Sequence, residues 1–222
     1  MLSTNRLILQ MAQEDQRRIH SLCSPVSLQA GQILNPAGQA NTAKVYFLIG
    51  ACVALLVQDT QHNSLAVGLV GSEGAVGLGP VLESCCDELE LHVQTPGSAW
   101  VAESAAVAQL LHQRPGMLWV ISQYLWALTS HVATTTACVQ FDDITGRLAY
   151  WLVLSADRAK TQQLHLTQEH LARMLGVRRV SITLAAGALK DMGLIAYRRG
   201  LLDILDKPGL MRLRQDGAKA LS

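Results

Sequence analysis

The stretch LTQEHLARMLGVRRVSITLAAGALKDMGLI, Leu166 to Ile195, decides how this chain is read. Thr167 is a hydroxyl residue placed to cap a helix, with Glu169 and His170 behind it. Leu171, Met174 and Leu175 supply an apolar face, and Gly176-Val177 make a turn. The pattern then resumes as a second helix, Ser181 to Met192, buried through Ile182, Ala185 and Leu189, and Gly193 ends it. The segment LIAYRRGLLDILD that follows reads as strand, tight turn at Arg199-Gly200, and strand. Helix, short glycine turn, helix and hairpin is the layout of a winged helix-turn-helix. A helix that only buries one face has no need of Arg178 and Arg179 side by side at its start.

Charge supports a special role for this end of the chain. The 222 residues carry a net charge of +1, but from Lys160 onward eleven Lys/Arg stand against five Asp/Glu. Everything before is acidic, with seven basic residues against twelve acidic ones. A basic end on an acidic body is the electrostatic footprint of a nucleic-acid-binding module attached to something else. In a helix-turn-helix the second helix enters the major groove with its N-terminal residues at base edges, while the first crosses the backbone. Arg178, Arg179, Val180, Ser181 and Thr183 are the candidates at the second helix, and Thr167 and Gln168 at the start of the first. Arg198 and Arg199 stand at the hairpin tip, where phosphates pass. Arginine suits this task because its planar fork pairs two acceptors on a guanine or grips a phosphate.

The rest of the chain has a different grammar. Half the residues are apolar and 16% are charged, enough to bury a sizeable core. No apolar run has the length of a membrane span, and MLSTNRLILQMAQEDQRR lacks the layout of a signal peptide, so a soluble, cytoplasmic chain is expected. Cys23, Cys52, Cys85, Cys86 and Cys138 are odd in number and form no CxxC pair. That speaks against a disulfide framework and a cysteine-only zinc site. The segment QEDQRRIHSLC reads as a short helix. Between about Ser27 and Val107, KVYFLIG, CVALLVQD, LAVGLVG, ELHVQTPG and SAWVAE have strand length, with Gly, Pro and Asn between them. Such spacing predicts an antiparallel barrel or sandwich.

After Pro115 the period changes. Met117, Ile121, Tyr124, Leu128, His131, Thr135 and Cys138 alternate spacings of four and three, with Leu118, Leu125, Val132 and Val139 broadening the stripe. This predicts a helix of more than twenty residues with a heptad seam, read as a homodimer interface through Met117, Ile121, Tyr124, Leu125, Leu128, Val132 and Thr135. The alternative is packing against the chain's own barrel. FDDITGRLAYWLVLSADR then starts another helix, capped by Asp142 or Asp143, with Leu148, Trp151, Leu152 and Ser155 on one face. The expected fold class is α+β. Residues 1–113 form an N-terminal antiparallel β-roll of jelly-roll type, 114–140 a long dimerisation helix, and 141–222 a C-terminal winged helix-turn-helix.

FDDITGRLAYWLVLSA, LTQEHLARMLGVRRVSITLAAGALKDMGLI and YRRGLLDILD resemble the C-terminal half of Crp/Fnr transcription regulators, and the order of segments matches over nearly the whole chain. The resemblance implies a cyclic-nucleotide-binding-type β-roll, a dimerisation helix and a DNA-binding winged module. It further implies an inverted-repeat double-stranded operator and RNA polymerase as a partner. Arg179 takes the place of a base- and phosphate-contacting arginine. The glutamate that usually follows is Val180 here, and the helix's later arginine falls at Leu184, so the family's common half-site preference does not carry over.

The sensor half departs further. Members that bind cyclic AMP hold the ribose with a glutamate after a glycine and the phosphate with an arginine some ten residues on. Here the glycine is Gly77, followed by Leu78, and Glu90 stands at or beside the arginine's place. An anion there repels a phosphate that an arginine would clamp. Gly71, Gly74, Gly77, Leu78 and Glu90 are therefore the residues of a degenerate effector pocket, with Gly71, Gly74 and Gly77 more simply turn glycines of the roll. No cofactor is expected: an iron–sulfur sensor needs an N-terminal cysteine cluster where only Cys23 lies, and haem needs a placed ligand among His62, His92 and His131. Two other functions compete. One is a cupin-like metalloenzyme using His62, His92 and Glu73 or Glu90, whose histidines stand far apart for such a site. The other is a ligand- or partner-binding module that has lost DNA binding, which the intact Arg178-Arg179 pair argues against.

Overall fold

The computed structural model describes residues 5–36, 44–61, 63–83, 89–198 and 200–219, the last six without side chains. His62, Cys85, Cys86 and Arg199 lie outside the described residues. The chain divides into two compact units, residues 1–58 with 68–131, and residues 59–67 with 132–222.

The first unit opens with α1 (Arg6–Leu9) and α2 (Gln13–Leu22) and continues into strands β1 (Ser24–Leu28), β2 (Ile33–Asn35), β3 (Lys44–Leu48), β4 (Cys52–Gln58), β5 (Ser64–Val70), β6 (Ala75–Val76), β7 (Glu90–Thr95) and β8 (Gly97–Glu103). One sheet runs β1-β8-β3-β6 and the other β2-β7-β4-β5. β8 pairs antiparallel with β1 and β3, and β7 does so with β2 and β4. The apolar runs are fully buried through Phe47, Leu48, Val53, Leu56, Leu69 and Val93, so the two sheets share a core. Pro25 is accommodated because β1 is an edge strand, where a missing N–H leaves no ladder bond unmade. The strand region read to Val107 is cut short, since α3 (Ser104–Gln113) begins straight after β8.

Two glycines permit close approaches in the first unit. Gly77 holds φ +81 where a side chain would meet the Lys44 carbonyl of β3, and a side chain at Gly74 would fall on the ring of Tyr124. The α4 helix (Pro115–Phe141) exploits that close approach, with Tyr124 donating its buried hydroxyl to the Ala75 carbonyl at 2.8 Å. Met117, Ile121 and Tyr124 are buried within the first unit, which corrects their reading as part of an open seam. A heptad stripe does not specify its partner, and here the chain's own roll takes one edge of it. The apolar face left open lies further round the helix, where Leu118, Trp119 (67% exposed) and Trp126 (74% exposed) stand clear, beside the half-buried Leu125.

The second unit holds α5 (Ile144–Ala159), β9 (Gln163–His165), α6 (Gln168–Leu175), α7 (Arg179–Asp191), β10 (Ile195–Arg198), β11 (Leu201–Ile204) and α8 (Lys207–Lys219). Asp143 caps α5, accepting the Gly146 N–H at 2.7 Å. Leu148, Trp151, Leu152 and Ser155 form its buried face, and α5 packs against α7 and α8. Thr135 is buried in this unit with its hydroxyl 3.3 Å from that of Tyr150, so it too is internal. Leu128 and Val132 are half-buried. The fold class expected from sequence, α+β with antiparallel sheets before a helical winged module, is the one observed.

Candidate nucleic-acid interface

Local chemistry builds the helix pair α6 and α7. Thr167 caps α6, its hydroxyl accepting the His170 N–H at 3.1 Å. Gly176 ends that helix in the left-handed conformation, φ +62, which redirects the chain within two residues. From that turn α7 starts at Arg179, two residues earlier than the sequence suggested, with Arg178 in the N-cap position. Arg179 and Val180 are thus helical, and belong to the ridge that α7 presents.

The inner and outer faces of α7 are sharply divided. Ile182, Ala185, Ala186 and Leu189 are buried against α5 and α6, whose own contributions include Leu152, Leu171 and Met174. Arg178, Arg179, Val180, Thr183 and Leu184 are exposed, and Ser181 is half-buried at the edge. Thr183 donates to the Gln168 side-chain oxygen at 2.9 Å, and its hydroxyl also lies 3.1 Å from the Arg179 carbonyl. Gln168, the first residue of α6, is therefore held from α7.

The wing is tied to the same frame. β10 and β11 pair antiparallel, Ile195 with Ile204 through Arg198 with Leu201, and Gly200 turns between them at φ +83. β9 extends the sheet on the other side of β11, Leu164 opposite Leu202. Arg198 is exposed at the end of β10, while Arg199 lies outside the described residues. Tyr197 donates its hydroxyl to the Leu166 carbonyl at 2.6 Å, linking the wing to the residue before the α6 cap. Burial pushes the Tyr197 phenol up, partly offset by the Gln168 backbone N–H and the Arg179 charge. It stays a neutral donor at physiological pH. Sequence reading missed this residue, and a tyrosine at an inward strand position beside the arginines was the signal. Arg147, half-buried on α5, donates to the Leu175 carbonyl at the end of α6. Burial pulls its guanidinium down from the usual arginine value, against the charge of Asp142.

The sensor residues are distributed differently. Gly71 and Gly74 close a turn, the Gly74 N–H bonding the Gly71 carbonyl at 3.2 Å. The Asn5 amide donates to the Gly74 carbonyl at 2.8 Å and to Leu48 at 2.7 Å. Leu78 is buried just after β6, in one sheet's chain path. Glu90 opens β7 in the other sheet, buried, and accepts from the Gln58 amide at 2.9 Å. His92 is buried on the same strand. Among the described residues no three His, Cys, Asp or Glu side chains gather as a metal site requires, and no helix is long and apolar enough to cross a membrane.

A capped helix, a glycine turn, a second helix and a wing, in a chain that also holds antiparallel sheets and a 27-residue helix, define a class: winged helix-turn-helix proteins with a β-roll. Residues 146–213 match the Crp-like helix-turn-helix domain family. The chain is similar in structure to the c-di-GMP responsive global regulator CLP of Xanthomonas campestris, with 19% identity, a TM-score of 0.72, and coverage of 88% of this chain and 100% of that one. A Crp/Fnr-family transcriptional regulator from Eubacterium rectale is similar over 96% of this chain and 99% of its own, at 15% identity and a TM-score of 0.74. A CRP-family regulator from Thermus thermophilus is 18% identical with a TM-score of 0.70, covering 86% and 96%. No curated protein matches the chain. Residues 146–213 thus carry a Crp-like helix-turn-helix domain, and the chain as a whole shares its fold with these regulators.

Proposed function

We propose that this protein is a homodimeric, sequence-specific DNA-binding transcription regulator whose sensor pocket does not take a cyclic nucleotide. The observation that carries the reading is the outer face of α7. Arg178, Arg179 and Thr183 are exposed on a helix whose opposite face is fully packed, with exposed Arg198 at the wing. Arg179 and Thr183 reach base edges, joined by Val180 and Ser181. Arg178, Arg198 and Arg199 grip phosphates, and the capped start of α6, Thr167 and Gln168, meets the backbone. Residues 1–113 serve as sensor, 114–140 as connecting helix and 141–222 as reader.

The dimer forms along α4. Two tryptophans one heptad apart, Trp119 and Trp126, with the heptad row Leu118, Leu125 and Val132 next to them and Leu128 at the inner edge, make an apolar stripe that water does not favour. A second copy of the same stripe covers it, which sets two readers on one duplex. Two recognition helices related by a dyad reach successive major grooves, so the operator is an inverted repeat with half-sites roughly 34 Å apart. Gene output then runs through RNA polymerase.

In the sensor, Leu78 offers no hydrogen bond to a ribose and the Glu90 carboxylate opposes a phosphate. Any effector is of another chemistry. Selection of bound duplexes from a random DNA pool tests the reading. The expected outcome is enrichment of one inverted repeat; a pool that stays random after repeated rounds overturns it.

A further inference from the structure

The outer face of α7 is not made of arginines alone. Val180 and Leu184 are 69% and 70% exposed, and they stand one turn apart, directly opposite the buried Ile182, Ala185 and Ala186. Small residues continue the same side, with Gly187 bordered by open space and Ala188 next to it. The ridge opposite the packed face is therefore apolar and low, and the cations flank it. Two large aliphatic side chains cannot accept or donate a hydrogen bond, so they gain nothing from the polar edges of guanine, adenine or cytosine. One group in the major groove answers them, the C5-methyl of thymine.

Resting on the DNA-reading assignment above, we infer that Val180 and Leu184 are specificity-determining residues that select thymine in each half-site through its methyl group. The partner is fixed by charge as well as shape. Arg178 and Arg179 adjoin the apolar ridge, and Arg198 stands on the wing of the same sheet-and-helix unit, a setting complementary to a polyanion. Thr183, held to Gln168, keeps α7 in register with α6 while Leu184 projects.

The test uses the full-length chain on its pool-selected duplex, and on the same duplex synthesised with deoxyuridine at every thymine, which removes only the methyls. Wild-type protein should lose about threefold to tenfold in affinity for each methyl contacted, from the area a buried methyl withdraws from water. Leu184→Ala and Val180→Ala lie on an exposed face and should keep the wild-type melting temperature. Each should weaken binding to the thymine duplex while losing part of the discrimination against the uracil duplex, so the cycle shows coupling. Selected sites should also carry thymine at fixed half-site positions. Equal uracil penalties in wild type and both variants would mean that the methyls act through DNA shape, and would overturn the inference. So would tight, selective binding that ignores the uracil exchange, which leaves the DNA-reading assignment standing. Failure to enrich any duplex overturns both.

Discussion

The two units break the usual rule of burial in opposite senses. The β-roll puts polar groups inside: Asn35, Glu90, His92 and Gln94 are all buried, three of them at alternate positions of β7. The winged module puts apolar groups outside, Val180 and Leu184 on one ridge. Buried polar and exposed large apolar residues are the informative exceptions, because ordinary sorting puts neither there. Polar groups that share one strand face in a closed roll can only be satisfied by neighbours or by something admitted to the interior, as the Gln58–Glu90 bond shows on a small scale. Aliphatic groups on a basic surface find a partner only outside the chain. One region is shaped inward and the other outward, as the proposed sensor and reader have to be.

The contrast is broken most forcefully at the reader's core. Leu189 is fully buried on the inner face of α7, and Leu189→Ala should cost about 2–5 kcal/mol in urea unfolding. The same truncation at Leu184 should leave stability within about 0.5 kcal/mol. Equal losses would mean that the ridge is structural after all.

A second test concerns the open face of α4. Charging it with Trp119→Glu and Trp126→Glu should convert a dimer to a monomer in sedimentation. Charging the roll-facing edge, as in Ile121→Glu, should unfold the first unit instead. A double variant that sediments as a dimer would place the interface elsewhere.

The smallest effect sharpens the sensor side. Cys23 is half-buried, and burial pushes its thiol up to about 11. At pH 9 only about one molecule in a hundred would be thiolate, against about three-quarters for an unperturbed thiol. Iodoacetamide labelling of the Cys23 peptide should therefore be slow at pH 9 and accelerate toward pH 11. Fast labelling at pH 8 would show that the end of α2 opens readily.

Legibility followed from how local the signals were. The reader could be read because its punctuation lies within a few residues: the Thr167 cap, the left-handed Gly176, and Gly200 in the wing turn. The start of α7 was misplaced by two residues because Arg178, with no side-chain bond, gives no capping signal. Short strands such as β1, β2, β6 and β9 escaped because their pairing is set by distant partners, as when Ser24 meets Val101. The same limit explains α4. Its heptad spacing was plain, but whether Met117, Ile121 and Tyr124 face a second copy or their own roll depends on Gly74, more than forty residues away, being small enough to admit Tyr124.

Whether this is a sequence reader is tested most directly by binding Arg179→Ala and Arg198→Ala to the selected duplex and to a scrambled one across a salt series. Arg179→Ala should lose about 1–3 kcal/mol on the selected site alone and relax preference at one base position per half-site. Arg198→Ala should weaken both duplexes alike and flatten the salt dependence, because a phosphate contact acts through counterion release. Wild-type affinity for either duplex unchanged by both substitutions would contradict the assignment of α7 and the wing to DNA.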